Sequence, residues 1–214
     1  MRTKTALVTA AIGLVGAATV SAQVYSVNVV GYVNSTLKPG FNLISNTLNN
    51  TATGGNTVGT IFGSALPDGS AVYKFVNGGY EAVNAFSDMF GWDTPGQTLV
   101  PGEGVFVFLA GSADVTVTFV GDVNQGALSV PVKAGFNMVS SPVPQAGGLV
   151  DPLAFPIQDG DTVYKHQRGG GYALPNSFSD MFGWDNGEPT IEVGEAFWVL
   201  STAAKTWTRT FTVQ

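Results

Sequence analysis

The chain repeats itself, and that repeat constrains the fold more than any single motif does. Two stretches that carry one pattern of residues in one order must fold alike and then find a way to pack. Lys38-Pro-Gly-Phe-Asn-Leu-Ile-Ser45 returns as Lys133-Ala-Gly-Phe-Asn-Met-Val-Ser140. Val72-Tyr73-Lys74 returns as Val163-Tyr164-Lys165, and Gly78-Gly79-Tyr80 as Gly170-Gly171-Tyr172. The octapeptide Phe86-Ser-Asp-Met-Phe-Gly-Trp-Asp93 returns unchanged as Phe178 to Asp185. Gly102-Glu103 before Val105 to Phe108 matches Gly194-Glu195 before Phe197 to Leu200, and Thr116 to Phe119 matches Thr208 to Phe211. The offset is 95 residues at Lys38 and 92 at Phe86, so only short insertions separate the two stretches.

Within each stretch the hydrophobic period is two, the signature of strands. Val105 to Leu109 and Val115 to Val120 are β-branched and aromatic runs separated by Ala110-Gly-Ser-Ala-Asp114, which predicts a hairpin. Val72 to Phe75 and Tyr80 to Val83 flank Asn77-Gly78-Gly79, a strong turn signal. Phe41 to Ser45 reads as a strand entered through Pro39-Gly40, and Val24 to Val33 as a further strand, to be paired within the module or donated to a neighbour. Two short helical turns are expected: Val58 to Phe62, capped by Asn56 and ended by Gly63, and Asp88 to Phe90, capped by Ser87 and ended by Gly91. The fold expected is all-β, with two tandem homologous small β-barrel or sandwich modules packed together. The first copy spans residues 23–120 and the second 121–214, after a cleaved signal peptide over residues 1–22.

That signal peptide is read from Arg2 and Lys4, the uncharged stretch Ala6 to Val20, and the small residues around Val20-Ser21-Ala22. The stretch is too short for a hydrocarbon core that needs about 20 residues. The expected address is therefore exported: periplasm, cell surface or extracellular, and the protein is not an integral membrane protein after cleavage. A transmembrane barrel fits poorly, because charged and glycine-rich segments interrupt the strands. Nine Lys and Arg against 15 Asp and Glu leave a net charge of −6. Nucleic acid is excluded as a partner on this balance, since phosphate neutralisation needs clustered cations. The absence of cysteine removes disulfides, thiolate metal sites and thiol nucleophiles.

Taken in order, Gly40-Phe-Asn-Leu-Ile-Ser45, Val72-Tyr-Lys74 with Gly78-Gly-Tyr80, and Pro101-Gly-Glu-Gly-Val-Phe-Val107 resemble a β-module family of uncharacterised exported bacterial proteins. The loose pattern of that family is a "GWNLIS"-like strand, a "VYKW…GY" hairpin and a "PGEGFWV" strand. The resemblance covers both copies and implies export and a β-rich module, with no activity attached. Phe41 and Phe136 stand where the family often has Trp, and Val193 and Ala196 replace Pro101 and Gly104 in the second copy.

The unchanged octapeptide is the first candidate for function. Trp92 and Trp184, with Tyr80 and Tyr172, would bind a glycan by stacking against a sugar ring. Asp88 and Asp93, with Asp180 and Asp185, would offer oxygens to Ca²⁺, which takes six to eight of them, although the dense Asp spacing of calcium loops is missing. Against both stands a structural role: Ser and Asp cap turns, while Phe86, Met89, Phe90 and Trp92 would plug one end of a barrel. Glu103 and Glu195 recur before a strand and read as acceptors for loop N–H groups. His166, the only histidine, takes the place of Phe75 and reads as a strand-end residue. No cofactor is expected, and no convergent acid, base and nucleophile set points to an enzyme. The expectation is a non-catalytic structural or cell-surface module with self-assembly as its mode. The alternative is a secreted carbohydrate-binding or calcium-assisted ligand-binding protein built on the octapeptide loop.

Overall fold

The computed structural model describes residues 30–213. The expected signal peptide and the first residues of the predicted Val24 to Val33 strand lie outside them. In the first half the strands are β1 (Val30–Leu37), β2 (Gly40–Ile44), β3 (Ala71–Val76), β4 (Gly79–Tyr80), β5 (Asn84–Ser87), β6 (Gly91–Trp92), β7 (Val105–Leu109) and β8 (Val115–Asp122). One helix, α1 (Val58–Phe62), lies between β2 and β3. The second half carries β9 (Gly126–Val132), β10 (Gly135–Ser140), β11 (Gly147–Gly148), β12 (Thr162–Tyr164), β13 (Asn176–Ser179), β14 (Gly183–Trp184), β15 (Thr190–Ile191), β16 (Ala196–Ser201) and β17 (Lys205–Phe211). The α1 turn falls where expected and ends at Gly63, but Thr57 rather than Asn56 is its cap, accepting the Thr60 N–H.

The protein is all-β, and its sheets are open. The first half forms a sheet in the order β2-β7-β3-β5-β6, with β4 paired to β3, beside a separate β1-β8 ribbon. The second half has the order β10-β16-β12-β13-β14 beside a β9-β17 ribbon, and β11 pairs with β15. The barrel expectation is corrected here. β2 and β10 pair on one side only, so the sheet edge never meets the ribbon to close a cylinder. β1 pairs with β8 of its own half along its whole described length, Val30 opposite Asp122 through Leu37 opposite Val115. Donation of these residues to a neighbouring chain is therefore not how they are satisfied.

Strand alternation explains where the cores sit. Val105, Val107 and Leu109 of β7 point to a core with Leu37 of β1, Val117 and Phe119 of β8, and Phe62 of α1. Phe197 and Val199 of β16 do the same with Val130, Val132 and Trp207 of the second ribbon. The intervening residues of the same strands, Phe106 and Trp198, point the other way. They meet in a third cluster with Leu43, Met138 and Ala196, which joins the two halves. A strand covered on both faces needs a continuous apolar run, and Val105-Phe-Val-Phe-Leu109 is one. The ribbons are covered on one face only and alternate apolar with Asn and Thr; Thr118 Oγ1 donates to Asn34 Oδ1 across the outer face (2.7 Å).

Candidate functional site

Each octapeptide is a hairpin rather than a helical turn, which corrects the expectation over Asp88 to Phe90. Phe86 pairs with Trp92 and Ser87 with Gly91; in the second half Phe178 pairs with Trp184 and Ser179 with Gly183. Phe86 and Trp92 therefore share a face and enter the core, their ring centroids 5.2 Å apart. Trp92 is 7% exposed, and its Nε1–H donates to the Gly63 carbonyl (2.9 Å). Such a ring has no free face for a sugar. Trp184 is half-buried, packed on Phe178 at 5.3 Å and against the second core. Trp92 is thus a hairpin anchor with its ring enclosed in the core, while Trp184 leans on the second core with part of its ring in water.

The tip of each hairpin points out. Met89 and Phe90 are 80% and 85% exposed, and Met181 and Phe182 are 80% and 84% exposed. The structural reading of the octapeptide placed Met89 and Phe90 inside with Phe86 and Trp92; only Phe86 and Trp92 are there. The turn is held by the same bonds twice. Ser87 Oγ accepts the Met89 N–H and Ser179 Oγ the Met181 N–H, each at 3.3 Å. The Asp88 N–H donates to Asp68 Oδ1 and the Asp180 N–H to Asp159 Oδ1, each at 3.0 Å. Asp68 and Asp159 were not singled out in the sequence, although each precedes a glycine in a matching Asp-Gly turn. Gly91 and Gly183 take φ of 77° and 75°, the left-handed region that closes so tight a tip.

Of the four aspartates proposed as calcium ligands, Asp93 has its carboxylate engaged by the backbone. Asp93 Oδ2 accepts the Ala85 N–H (3.3 Å) while the Asp93 N–H donates to the Ala85 carbonyl (2.9 Å). Asp185 N–H donates likewise to the Ser177 carbonyl (3.0 Å). Among the described residues no three His, Cys, Asp or Glu side chains come together. Glu103 Oε2 accepts the Val100 N–H (3.0 Å) and the Lys74 ammonium (2.9 Å); Glu195 Oε2 accepts the Glu192 N–H (2.8 Å) and its Oε1 the Lys165 ammonium (3.1 Å). Both turns are fastened by their own glutamate.

Tyr80 and Tyr172 lie in the joint between the halves and not beside the octapeptides. Tyr80 stands edge-on to Phe75 (5.3 Å) and Trp198 (6.4 Å), and Phe75 to Trp198 at 4.7 Å. Tyr172 stands edge-on to His166 (5.0 Å), and His166 to Phe106 at 4.9 Å. The first half's hairpin thus grips Trp198 of the second, and the second half's hairpin grips Phe106 of the first. Burial, followed by the proximity of Tyr172, raises the Tyr80 hydroxyl above its ordinary value. Burial lowers the His166 pKa, and its Nδ1 is buried without a partner.

The backbone contacts across the joint are reciprocal too. The Ser45 N–H donates to Gly194 O and the Ser140 N–H to Gly102 O, both at 3.0 Å, while Ile44 bridges to Glu195 and Val139 to Glu103. Each half's Glu turn therefore covers the open edge of the other half's sheet, an edge that would otherwise invite pairing with foreign strands. This is the geometry of an isologous interface, here inside one chain. At its centre a Cβ built on Gly104 would stand 2.7 Å from Ala196 Cβ.

No known family model, curated protein or solved structure matches the chain. The resemblance to exported β-modules rests on the quoted motifs alone. Among the described residues no helix is long and apolar enough to cross a membrane.

Proposed function

We propose that the chain is an exported, non-catalytic assembly protein, made of two copies of one module, that offers two identical apolar tips to a partner. The observation that carries this reading is the outward placement of Met89-Phe90 and Met181-Phe182. Burying a side chain of this kind stabilises by about 1.5–3 kcal/mol relative to leaving it in water, so folding gains nothing from their exposure. Strand residues nevertheless differ between the halves, as Phe75 and His166 or Val117 and Arg209 show, while these tips are the same. The matching strand orders and reciprocal joint support the two-copy reading. The engagement of Glu103, Glu195, Asp161 and His166 in structural contacts supports a non-catalytic role.

Each tip stands among carboxylates, Asp68, Asp88 and Asp93 on one side and Asp159, Asp180 and Asp185 on the other. A partner that fits has an apolar hole with a basic rim; an anionic membrane surface would be repelled. Two tips on a clasped body add avidity of about 10²–10⁴ over one. The test is cell fractionation of wild type against a variant with Met89, Phe90, Met181 and Phe182 all changed to Ser. The variant should melt at an unchanged temperature and move from the envelope fraction to the soluble one, with either single-tip variant intermediate. Unaltered envelope retention of the stable fourfold variant would refute the tips as the docking element.

A further inference from the structure

The two halves differ at one place where their reciprocity predicts likeness. On each side of the joint, one half's β-hairpin stands over the turn that connects ribbon to sheet in the other half. On one side the hairpin after His166 stands over Lys38 to Phe41, and that space is closed. The Gly169 N–H donates to the Phe41 carbonyl (2.9 Å), and Arg168 Nη1 donates to the Thr36 carbonyl (2.7 Å). A Cβ on Gly40 would meet the Gly169 oxygen at 2.8 Å. On the other side the hairpin after Phe75 stands over Lys133 to Phe136; the Lys133 ammonium reaches Asn77 Oδ1 across the space, which is otherwise open. Nothing lies within 4 Å of a Cβ built on Gly135 or on Gly78. The cause is legible: five residues separate His166 from Tyr172, but only four separate Phe75 from Tyr80, and Arg168 has no counterpart able to reach across.

The result is a cleft of about 570 Å³, within the range of small-molecule sites. Its walls combine apolar surface from Phe75, Val130, Pro131 and Phe136 with the charged groups of Lys74, Glu103 and Lys133. Lys74 is satisfied, donating to Thr98 O (2.7 Å), Thr98 Oγ1 (3.2 Å) and Glu103 Oε2 (2.9 Å). Glu103 in turn is neutralised by Lys74. Lys133 is exposed and its ammonium holds one acceptor, the neutral amide oxygen of Asn77, out of the three an ammonium can serve. Among the described residues no carboxylate pairs with Lys133, which leaves its cation uncompensated three residues from the half-exposed ring of Phe136.

We propose that this inter-half cleft binds a small ligand carrying one carboxylate next to an apolar face, with the carboxylate on Lys133 and the apolar face on Phe136 and Pro131. An acidic sugar residue and an apolar organic acid share that chemistry. The site is separate from the Met-Phe tips and is filled or empty independently of them.

The test titrates the full chain with 3-phenylpropionate and with glucuronate, using 3-phenylpropionamide as the uncharged control. Tryptophan fluorescence reports binding, because Trp198 stands 6.0 Å from Phe136. Saturable binding is expected for one or both carboxylates, and which of the two binds tells the organic acid from the sugar. Lys133→Gln should weaken it at least tenfold, and Phe136→Ala should weaken it as well. Replacing residues 76–79 by the sequence of residues 167–171 should close the cleft and abolish binding while leaving the melting temperature intact. Binding of the amide as tight as the acid, binding that survives Lys133→Gln or the hairpin replacement, or no binding by either carboxylate would overturn the proposal.

Discussion

Gly104→Ala is the smallest change that probes the joint between the halves. Gly104 sits in ordinary backbone, so the added methyl acts through contact alone. It would stand 2.7 Å from Ala196 Cβ and 2.9 Å from Met138 Cγ. The methionine can swing aside, but Ala196 is on a central strand paired to β10 and cannot. Inserting one carbon into such packing costs about 1–3 kcal/mol, which lowers Tm by about 2–4 °C per kcal/mol for a chain of this size. Ala196→Gly removes a buried methyl worth about 0.8 kcal/mol and adds a strand glycine that costs about 0.5–1 kcal/mol. Combining the two exchanges the residues across the joint and restores one methyl where there was one. The double variant should recover most of the Gly104→Ala loss, a coupling of about 1–3 kcal/mol in a double-mutant cycle. Urea unfolding followed by tryptophan fluorescence measures all four proteins. A Gly104→Ala change within about 0.5 kcal/mol of wild type, or a double variant equal to the sum of the singles, would refute the close reciprocal joint.

Two predictions concern pH. Burial holds His166 below the ordinary histidine value of 6.5, so the folded state resists its protonation and stability falls as pH drops below 6.5. His166→Phe, which puts the first half's residue there, should flatten unfolding midpoints measured from pH 7.5 down to 5; an unchanged slope would show that His166 is not strained by protonation. Burial pushes the Asp161 carboxyl up, but bonds from the Lys205 ammonium and from the Thr202 and Gln158 N–H groups outweigh it and hold it below the ordinary 3.8. Its contribution is present above that pH and lost as pH falls below it. Asp161→Asn should therefore be markedly less stable than wild type at pH 7 and approach it toward pH 3, while a constant difference would contradict the pairing.

The longer strands, such as β3, β7 and β8, and the α1 segment were legible from local pattern, because alternation and Gly-containing turns act over a few residues. The glutamates before β7 and β16 were legible for the same reason: an acceptor three residues from the N–H it serves is local chemistry. By contrast, the octapeptide reads as a helical turn where the strands β5 and β6 form, and the strand expected over Tyr80 to Val83 shrinks to Gly79–Tyr80. The octapeptide marked itself by repeating unchanged, but its division was hidden. A period of two says that neighbours point apart, not which side is covered. Only the pairing of Phe86 with Trp92 puts the tryptophan in the core and leaves Phe90 outside. The meeting of Phe106 with Trp198 was likewise beyond local reading, since nothing near either residue records that the uncovered faces of β7 and β16 pack together. Open sheets in place of barrels follow from that meeting, because each half's edge is covered by the other's turn and has no need to close on itself. From its own residues the chain determined a β protein in which two stretches carry one residue pattern in the same order. The tertiary structure decided which side chains are shared between those parts, which are left in water, and that one side of the joint stays open for want of a single hairpin residue.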